Sequence, residues 1–350
     1  MLFKIFISVM KKTTKRRILW SVTAVVVVLG LFFGYGLLSR FAQSPSQTFV
    51  YIDADDTADS VYVKLRPHTS SFRLFVVKAL GTLVGYPSRV GAGRYDVGSG
   101  QSSLTVLRRL RSHRQTAVTL NIPSVHTMNQ LAGKLSRVLQ PDSATWSRAF
   151  ADTALLSQNG LTPQTLPCVF LTQQYDVYWD VTPEAFIAKM VGESKKYWTK
   201  ERCRQAEQQG LTPQDVVTLA SIVDRETSAA KEMPRVAGMY LGRLRKGMRL
   251  QADPTVKFAL GRFDLRRITY EHLECPSPYN TYRHEGLPPG PICLPSMVAV
   301  EAVLKAERHD YIYMCANPDF SGTHLFAKTY EEHLANAAAY ARALDERGIH

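Results

Sequence analysis

The first forty residues contain the longest apolar run in the chain. A basic cluster between Lys11 and Arg17 precedes an uncharged stretch from Ile18 to Leu38, which is 21 residues long. A helix needs about 20 residues to cross the hydrocarbon core of a bilayer. The pattern therefore predicts a membrane-spanning helix over 18–38, preceded by a basic segment over 1–17.

A cleaved signal peptide is the alternative interpretation of this run. Such a peptide has an apolar region of about 7–15 residues, followed by a small-x-small cleavage site. The run here is longer and no good site follows it, which favours an uncleaved single-pass anchor. Because basic flanks stay in the cytoplasm, we expect a cytoplasmic N-terminus, with everything after Ser39 on the outer side of the cytoplasmic (inner) membrane.

Short strand and helix patterns follow a polar linker predicted over 39–48. Runs with period two or with β-branched residues alternate with runs of helical period. These patterns predict a small α+β module over 49–140. The predicted strands are 49–52, the end of 91–97 and 117–122, and the predicted helices are 57–65, 72–83, 102–110 and 127–139.

The segment 141–210 is predicted to connect this module to the rest of the chain. A helix is expected around Trp146, and an amphipathic helix over Pro183–Tyr197. Between them, 168–179 has strand-like alternation and many aromatic residues. Its aromatic side chains could stack on sugar rings, although packing in a core is the favoured interpretation; they are Tyr175, Tyr178 and Trp179.

One helix pattern in the last part of the chain presents a carboxylic acid on its apolar face. Thr212 can cap the helix, Pro213 suits its first position, and Asp215 completes a variant of the capping box. Apolar residues then recur at helical spacing, at 216, 219, 222 and 223. Glu226 continues this apolar face, whereas Asp224 points to the opposite side.

The position of Glu226 allows two interpretations. A carboxylate on an apolar face is costly when it is ionised and unpaired, so burial raises its pKa and makes it a proton donor near neutral pH. Alternatively, Glu226 forms an ion pair with a nearby arginine. The candidates for that ion pair are Arg225, Arg235 and Arg243.

Further helix and strand patterns complete the region after Glu226. Helices are predicted over 234–246, 296–306 and 328–345, and strands over 310–316 and 322–327. The segment 251–255 is predicted to be a loop closed by Pro254. Together these patterns predict a mixed α and β domain over 211–350, and an α+β class for the chain.

Charge and cysteine usage narrow the function. The formal charge is +13, and residues 1–40 hold seven basic and no acidic residues, which leaves 13 − 7 = +6 for the remainder. That excess does not require nucleic acid as a partner. The five cysteines show no Cys-x-x-Cys spacing and no zinc pattern. We expect no metal and no cofactor, and buried thiols with room for one disulfide.

Four motifs resemble the endolytic murein transglycosylase family. They are Ala-Ser-Ile-Val-Asp-Arg-Glu-Thr at 220–227, Leu-Gln-Ala-Asp-Pro-Thr-Val at 250–256, Tyr-Asn-Thr-Tyr at 279–282 and Gly-Leu-Pro-Pro-Gly-Pro-Ile at 286–292. The resemblance is dense from about 212 to 335 and thinner upstream. This chain has Asp224 where the family often has glutamate, and Leu-Thr-Gln-Gln-Tyr at 171–175 in place of Phe-Pro-(Asp/Asn)-Thr-Tyr.

The resemblance implies a peptidoglycan lytic transglycosylase, a carbon–oxygen lyase. Such an enzyme cleaves the bond between N-acetylmuramic acid and N-acetylglucosamine within nascent glycan strands, forms 1,6-anhydro ends and terminates strand elongation. Glu226 would be the catalytic acid and then the base. The candidate substrate-binding residues are Gln251, Asp253, Thr255, Asn280, Tyr282 and His324.

The resemblance also implies partners and a role for the upstream module. The partners would be peptidoglycan glycan strands, the cytoplasmic membrane and peptidoglycan synthases. The module at 49–140 corresponds to a LysM-like fold, which is a glycan-binding type, and the catalytic domain would be 211–350. A purely structural spacer is an equal alternative for the module.

Two other classes of function remain open from the residues alone. In a non-catalytic, membrane-anchored wall-binding protein, Glu226 would be a structural partner in an ion pair. A metal-dependent hydrolase would use histidines, although their spacing matches no metal-ligand pattern. The histidines available are His272, His284, His309, His324 and His333.

Overall fold

The computed structural model describes residues 2–44, 46–98, 100–265 and 267–347, with side chains from residue 16 onward. The chain divides into two compact units. The first unit is Met1–Val118 with Tyr178–Asp180, and the second is Thr119–Val177 with Val181–His350. Each unit mixes helices and strands, as the sequence patterns predict.

The first unit begins with a long helix and continues with a small α+β arrangement. Its helices are α1 (Leu2–Leu38), α2 (Ala58–Leu65), α3 (Ser71–Leu83) and α4 (Ser103–Arg111), and its strands are β1 (Phe49–Ile52) and β2 (Gly93–Asp96). Within α1, the segment Arg16–Leu38 is long and apolar enough to cross a membrane, and Gly36 is its one buried residue.

The strands β1 and β2 pair in antiparallel register, with Phe49 opposite Asp96 and Ile52 opposite Gly93. The helices α2 and α3 lie between them in the sequence, so the order is strand, helix, helix, strand. Hydroxyl side chains cap the helices of this unit, because an N-terminal N–H otherwise lacks a partner. The caps are Thr57 for α2, Ser70 for α3 and Ser102 for α4.

The start of the predicted linker is part of the first unit. Phe41 is fully buried. Its backbone N–H donates to the Gln101 carbonyl at 2.8 Å, and its carbonyl accepts from the Thr69 hydroxyl at 2.6 Å. The chain therefore passes from α1 into the core of the unit within three residues of Leu38.

The second unit contains the helix that ends at Glu226. Its helices are α5 (Met128–Leu135), α6 (Ser143–Ala151), α7 (Thr153–Gln158), α8 (Pro183–Tyr197), α9 (Lys200–Gln208), α10 (Pro213–Glu226), α11 (Met233–Arg245), α12 (Asp253–Leu260), α13 (Tyr270–Leu273), α14 (Met297–Leu304) and α15 (Tyr330–Glu346). Strand β3 (Val118–Asn121) pairs with β4 (Gln174–Val177), and β5 (Tyr313–Ala316) pairs with β6 (His324–Ala327) in antiparallel register.

The core of the second unit is built on α10, which packs against α11 and α14. The predicted capping box is present, since the Thr212 hydroxyl accepts from the Asp215 N–H and the Asp215 carboxylate accepts from the Thr212 N–H. The predicted core face is confirmed, because all four of its side chains are almost completely buried: Val216, Leu219, Ile222 and Val223. This packing fixes where the last turn of α10 lies.

Several predicted elements differ from the structure. The predicted loop at 251–255 is wrong in its second half, because α12 begins at Asp253 with Pro254 in its first turn, where a missing N–H costs nothing. The strand predicted over 168–179 is limited to β4, and a short 3-10 turn over Leu166–Val169 precedes it. Helices α7, α9 and α13 were not predicted.

The aromatic residues of that segment behave mainly as packing residues. Tyr175 is buried, and its hydroxyl donates to the Leu171 carbonyl at 3.1 Å. Trp179 packs edge-on against Tyr51 within the first unit, and Tyr178 is exposed. The five cysteines all have free thiols.

Candidate active site

A cleft of about 440 Å³ opens in the second unit at the end of α10. Its walls come from α10, α11, the start of α12, β5, β6 and α15. The residues that line it are Glu226, Met239, Tyr240, Arg243, Leu250, Gln251, Asp253, Tyr282, Tyr313, Met314, Cys315, Ala316, His324, Tyr330 and His333. Four of the predicted substrate-binding residues therefore lie together with Glu226: Gln251, Asp253, Tyr282 and His324.

Glu226 is the last residue of α10, and its side chain is half-buried at the floor of the cleft. The hydroxyl of Tyr240, from α11, donates a hydrogen bond to Glu226 Oε1 at 2.5 Å. Burial raises the pKa of the Glu226 carboxyl to about 7, and the negative charge of Asp253 adds to the rise. The Tyr240 hydrogen bond, His324 and Lys257 oppose it. At neutral pH, Glu226 is thus divided between its acid and carboxylate forms.

None of the three candidate arginines forms an ion pair with Glu226. Arg225 donates to the Ser124 hydroxyl at 2.6 Å, and Arg235 pairs with Glu307 at 2.9 Å. Arg243 binds backbone carbonyls and Gln251. The hydrogen-bond partner of Glu226 in the structure is neutral, which leaves its carboxyl free to exchange a proton.

Arg243 organises the wall of the cleft next to Gln251. It is 7% exposed, and its guanidinium donates to the carbonyls of Arg249 (2.9 Å) and Ile312 (3.1 Å) and to the Gln251 side chain. Gln251 has a left-handed backbone, with φ of 52°, which costs energy for a residue with a Cβ. Its N–H donates to the Thr281 carbonyl at 3.1 Å, so neighbouring residues hold it in this conformation.

Asp253 and Tyr282 form a second pair inside the cleft. The Tyr282 hydroxyl donates to Asp253 Oδ1 at 2.6 Å. Burial, followed by the hydrogen bond and charge of Asp253, raises the pKa of Tyr282, so the phenol stays protonated. The Asp253 carboxylate therefore lies near Glu226, and its hydrogen-bond partner Tyr282 is a neutral phenol.

His324 begins β6 and is held by a residue that the sequence analysis did not single out. Glu232 accepts from the His324 backbone N–H at 2.6 Å, and its other oxygen lies 3.0 Å from His324 Nδ1. Both side chains are largely buried. Glu232 thus fixes which face of the His324 ring is turned to the cleft.

Thr255 and Asn280 do not line the cleft, and both are fully buried. The Thr255 hydroxyl lies 2.8 Å from that of Thr281 and donates to the Ala252 carbonyl at 2.7 Å. The Asn280 amide donates to the carbonyls of Leu273 (2.8 Å) and Cys275 (2.7 Å). These two side chains therefore hold the backbone behind the cleft in place.

Asp224 points away from the cleft, as the helical spacing predicts. Its carboxylate accepts from the hydroxyl of Ser296 at 2.5 Å and from the Ser296 N–H at 3.3 Å. Ser296 in turn caps α14. The aspartate at this position therefore connects α10 to α14 and does not share the environment of Glu226.

Several residues line the cleft that the sequence analysis did not assign to substrate binding. Tyr240 and Arg243 lie on α11, and the sequence analysis named only Arg243, as a candidate ion-pair partner of Glu226. Tyr313, Tyr330 and His333 reach the cleft from β5 and α15, and the rings of Tyr313 and His333 stack at 5.3 Å. Only the packing of α11, β5 and α15 around α10 brings these residues together. Across the residues that the structure describes, no group of three or more His, Cys, Asp or Glu is arranged to hold a metal ion.

The amino-acid sequence matches a known protein family. The sequence pattern of the YceG-like family matches residues 50–339. The chain belongs to the YceG-like family. The match covers parts of both units and the whole of the cleft.

Relatives of this YceG-like chain carry a functional name. A Bacillus subtilis protein named endolytic murein transglycosylase is 32% identical over 168 residues, covering 48% of this chain and 46% of the relative. A Streptococcus pneumoniae protein of the same name is 24% identical over 287 residues, covering 72% of this chain and 51% of the relative. The chain spans about half the length of these curated relatives.

A solved structure of a YceG-like protein from Listeria monocytogenes shares the fold. It is 25% identical in sequence, with a TM-score of 0.54. The alignment covers 83% of this chain and 99% of the other. The likeness therefore extends over nearly all of the Listeria chain.

Proposed function

We propose that this protein is a membrane-anchored, endolytic peptidoglycan lytic transglycosylase in which Glu226 is the single catalytic acid and base. The observation that carries the proposal is the state of Glu226: a half-buried carboxyl with a pKa of about 7, bonded to Tyr240 at the floor of an open cleft. The family membership and the names of the relatives support the substrate class.

The reaction begins with protonated Glu226, which donates its proton to the oxygen between N-acetylmuramic acid and N-acetylglucosamine. The glycosidic bond breaks as the positive charge develops at the anomeric carbon. The carboxylate of Glu226 is then stabilised by the Tyr240 hydroxyl. It removes the proton from the C6 hydroxyl of the muramic acid, whose oxygen attacks the anomeric carbon and closes the 1,6-anhydro ring. One carboxyl acts twice, and no water is consumed.

The remaining cleft residues bind the glycan and stabilise the transition state. Gln251, Tyr282 and His324 offer hydrogen bonds to sugar hydroxyls and acetamido groups, and their side chains line the same cleft as Glu226. Asp253 places a negative charge near the developing positive charge and keeps the Glu226 pKa high. Thr255 and Asn280 act indirectly, by holding the two chain segments that carry Gln251 and Tyr282.

The small α+β arrangement of the first unit is proposed to be the LysM-like, glycan-binding part. Two helices lie between its paired antiparallel strands in the sequence, in the order strand, helix, helix, strand. This order supports a compact binding module over a plain spacer. Arg108, Arg111 and Arg114 are exposed beside it and favour an anionic polymer. A glycan-binding assay with and without this module distinguishes the two interpretations.

The proposed location is the cytoplasmic membrane, with a single span and a cytoplasmic N-terminus. The apolar segment Arg16–Leu38 and the basic residues before it support this orientation. The enzyme would then meet nascent glycan strands, and the synthases that make them, on the outer surface. A reporter that works only in the cytoplasm should be inactive when fused to the C-terminus.

The experiment that tests the proposed activity is mass spectrometry of the products formed from purified glycan strands. Strands cut internally, with 1,6-anhydromuramic ends, are the expected result. Ends heavier by one water would mean hydrolysis, and binding without any cleavage would mean a non-catalytic wall-binding protein. Activity should survive a chelator, because the proposed mechanism uses no metal. Loss of activity would favour the metal-dependent hydrolase instead.

A further inference from the structure

Helix α3 crosses the apolar helix α1 near the C-terminal end of α1. A Cβ atom at Gly36 would lie only 2.9 Å from Val76 Cγ2 and 3.0 Å from the Phe72 ring, so the glycine permits this close approach. The rings of Phe32 and Phe72 also contact each other, with centroids 4.2 Å apart. The contact between the two helices is therefore direct, and it involves the apolar face of α3.

The crossing lies within the apolar segment of α1. Gly36 is two residues before the end of that segment at Leu38, and Phe32 is six residues before it. At a rise of 1.5 Å per residue, these positions are about 3 and 9 Å inside its end. The segment of 23 residues is about 35 Å long, only slightly longer than the hydrocarbon core of about 30 Å. If α1 spans a membrane, the outer edge of the hydrocarbon core therefore lies beside the part of α3 that contacts α1.

Part of the same face of α3 stays exposed past the crossing. Ala79 and Leu83 follow Phe72 by seven and eleven residues, which places them on one face of the helix. Leu83 is 83% exposed, and Phe75, at the edge of this face, is 64% exposed. Val76 is fully buried. Together with the exposed apolar residues of α1, these side chains form an apolar surface of the kind that marks a membrane interaction site.

Polar groups mark the opposite boundary of this region. The Arg73 guanidinium donates to the Ser39 hydroxyl at 3.1 Å, and exposed Arg40 follows directly. Lys78 pairs with Asp59 at 2.8 Å. It lies on the side of α3 away from Leu83, but next to Phe75, which stands three residues before it. Basic side chains at the end of the membrane-spanning segment can interact with lipid headgroups. Their long apolar stems can lie along an apolar surface while the charged ends stay in water.

We propose that α3 is an interfacial helix, whose Phe75 and Leu83 side chains insert into the outer boundary of the bilayer that α1 crosses. The partner is a lipid surface, because this helix packs directly on the apolar segment of α1 through Phe72 and Val76. This inference rests on the proposed anchor. An interfacial α3 would do more than anchor the chain, because it would hold the first unit against the membrane surface. An anchor alone would leave that unit connected to the membrane only through α1.

Photo-cross-linking of the full chain tests this proposal. A photoreactive phenylalanine analogue is placed, one position at a time, at Phe75, Val26 or Val63, and each protein is reconstituted in nanodiscs of phosphatidylcholine and phosphatidylglycerol. Val26 lies in the span and is the positive control. Val63, on α2, is apolar and 69% exposed like Phe75, and is the matched control. The analogue keeps an apolar ring at Phe75, and thermal unfolding confirms that each variant is folded.

The expected result is lipid adducts at Val26 and Phe75, with at least tenfold fewer at Val63. Adducts at Val26 but not at Phe75 would overturn the inference and leave the anchor standing. Equal labelling of Phe75 and Val63 would overturn it too, as would a protein–protein adduct at Phe75, which would show that another chain covers this face. Without adducts at Val26 the anchor itself fails, and the interfacial helix fails with it. Glycan cleavage is measured separately and is independent of these outcomes.

Discussion

The hydroxyl of Tyr240 donates a hydrogen bond to Glu226 Oε1, between the last turn of α10 and the middle of α11. This bond stabilises the carboxylate form of Glu226, while burial stabilises the acid form. The two opposed effects bring the pKa of Glu226 to about 7. A group that must first donate and then accept a proton works best when neither form is strongly preferred.

Replacing Tyr240 with phenylalanine should shift the pH dependence of cleavage. Without the hydrogen bond, the pKa of Glu226 should rise by about one to two units, because bonds to charged groups contribute about 1.5–3 kcal/mol and one pKa unit is about 1.4 kcal/mol. The alkaline limb of kcat/KM against pH should therefore move to higher pH. Tyr279→Phe, a half-buried tyrosine outside the cleft, is the control. An unshifted limb in Tyr240→Phe would mean that Tyr240 does not tune the acid.

Replacing Asp253 with asparagine should shift the same limb in the opposite direction. The negative charge of Asp253 raises the pKa of Glu226, so its removal should lower that pKa. The asparagine oxygen can still accept from Tyr282, and the rate at the optimum should fall by less than about 10²-fold. Asp264→Asn, which changes an exposed ion pair, is the control. A loss of 10³-fold or more would indicate that a second carboxylate takes part, as in hydrolases.

The stability of the protein should depend on pH through Glu226. Its folded pKa, about 7, lies above the ordinary value of 4.5. The folded state therefore holds the proton more tightly, and this stabilisation is fully present below the ordinary pKa and lost as pH rises through about 7. Glu226→Gln keeps the shape without the charge. Its melting temperature should match wild type at pH 4.5 and exceed it at pH 8. Equal melting temperatures at both pH values would argue against a desolvated carboxyl.

Replacing Arg243 with lysine should destabilise the second unit. One ammonium group cannot reach the three acceptors that the guanidinium binds on Arg249, Gln251 and Ile312. We expect a loss of about 2 kcal/mol in the free energy of unfolding. Arg235→Lys, at an exposed ion pair with Glu307, should cost less than about 1 kcal/mol. Urea denaturation of both variants measures the difference, and equal losses would contradict the role of Arg243.

The sequence predicts those parts of the site that depend on local structure. The Thr212 cap and the helical spacing set the start and the buried face of α10, and they place Glu226 and Asp224 on opposite sides. These features follow from short-range geometry, which one sequence contains in full. The same is true of the apolar segment of α1.

The environment of Glu226 depends on contacts that a single sequence does not reveal. Glu232 and His324 are 92 positions apart, and they meet only because β6 lies beside the start of α11. Motif position also does not show where a side chain points. Thr255 and Asn280 stand within conspicuous motifs, yet both bond to backbone and lie behind the cleft, while Tyr240 stands in none of the four motifs.

If Glu226 performs both proton transfers, the cleavage rate of Glu226→Gln on purified glycan strands should fall steeply. Loss of general acid–base catalysis costs roughly 10²–10⁴ in rate, and we expect the upper end because one residue acts twice. Asp224→Asn, which retains an acceptor for Ser296, should keep near-normal activity, and thermal unfolding must show that both variants are folded. Mass spectrometry should find 1,6-anhydromuramic ends from wild type and from Asp224→Asn but almost none from Glu226→Gln. A folded Glu226→Gln that retains more than about a tenth of the rate, a difference of about 1.4 kcal/mol or less in activation free energy, would contradict the account.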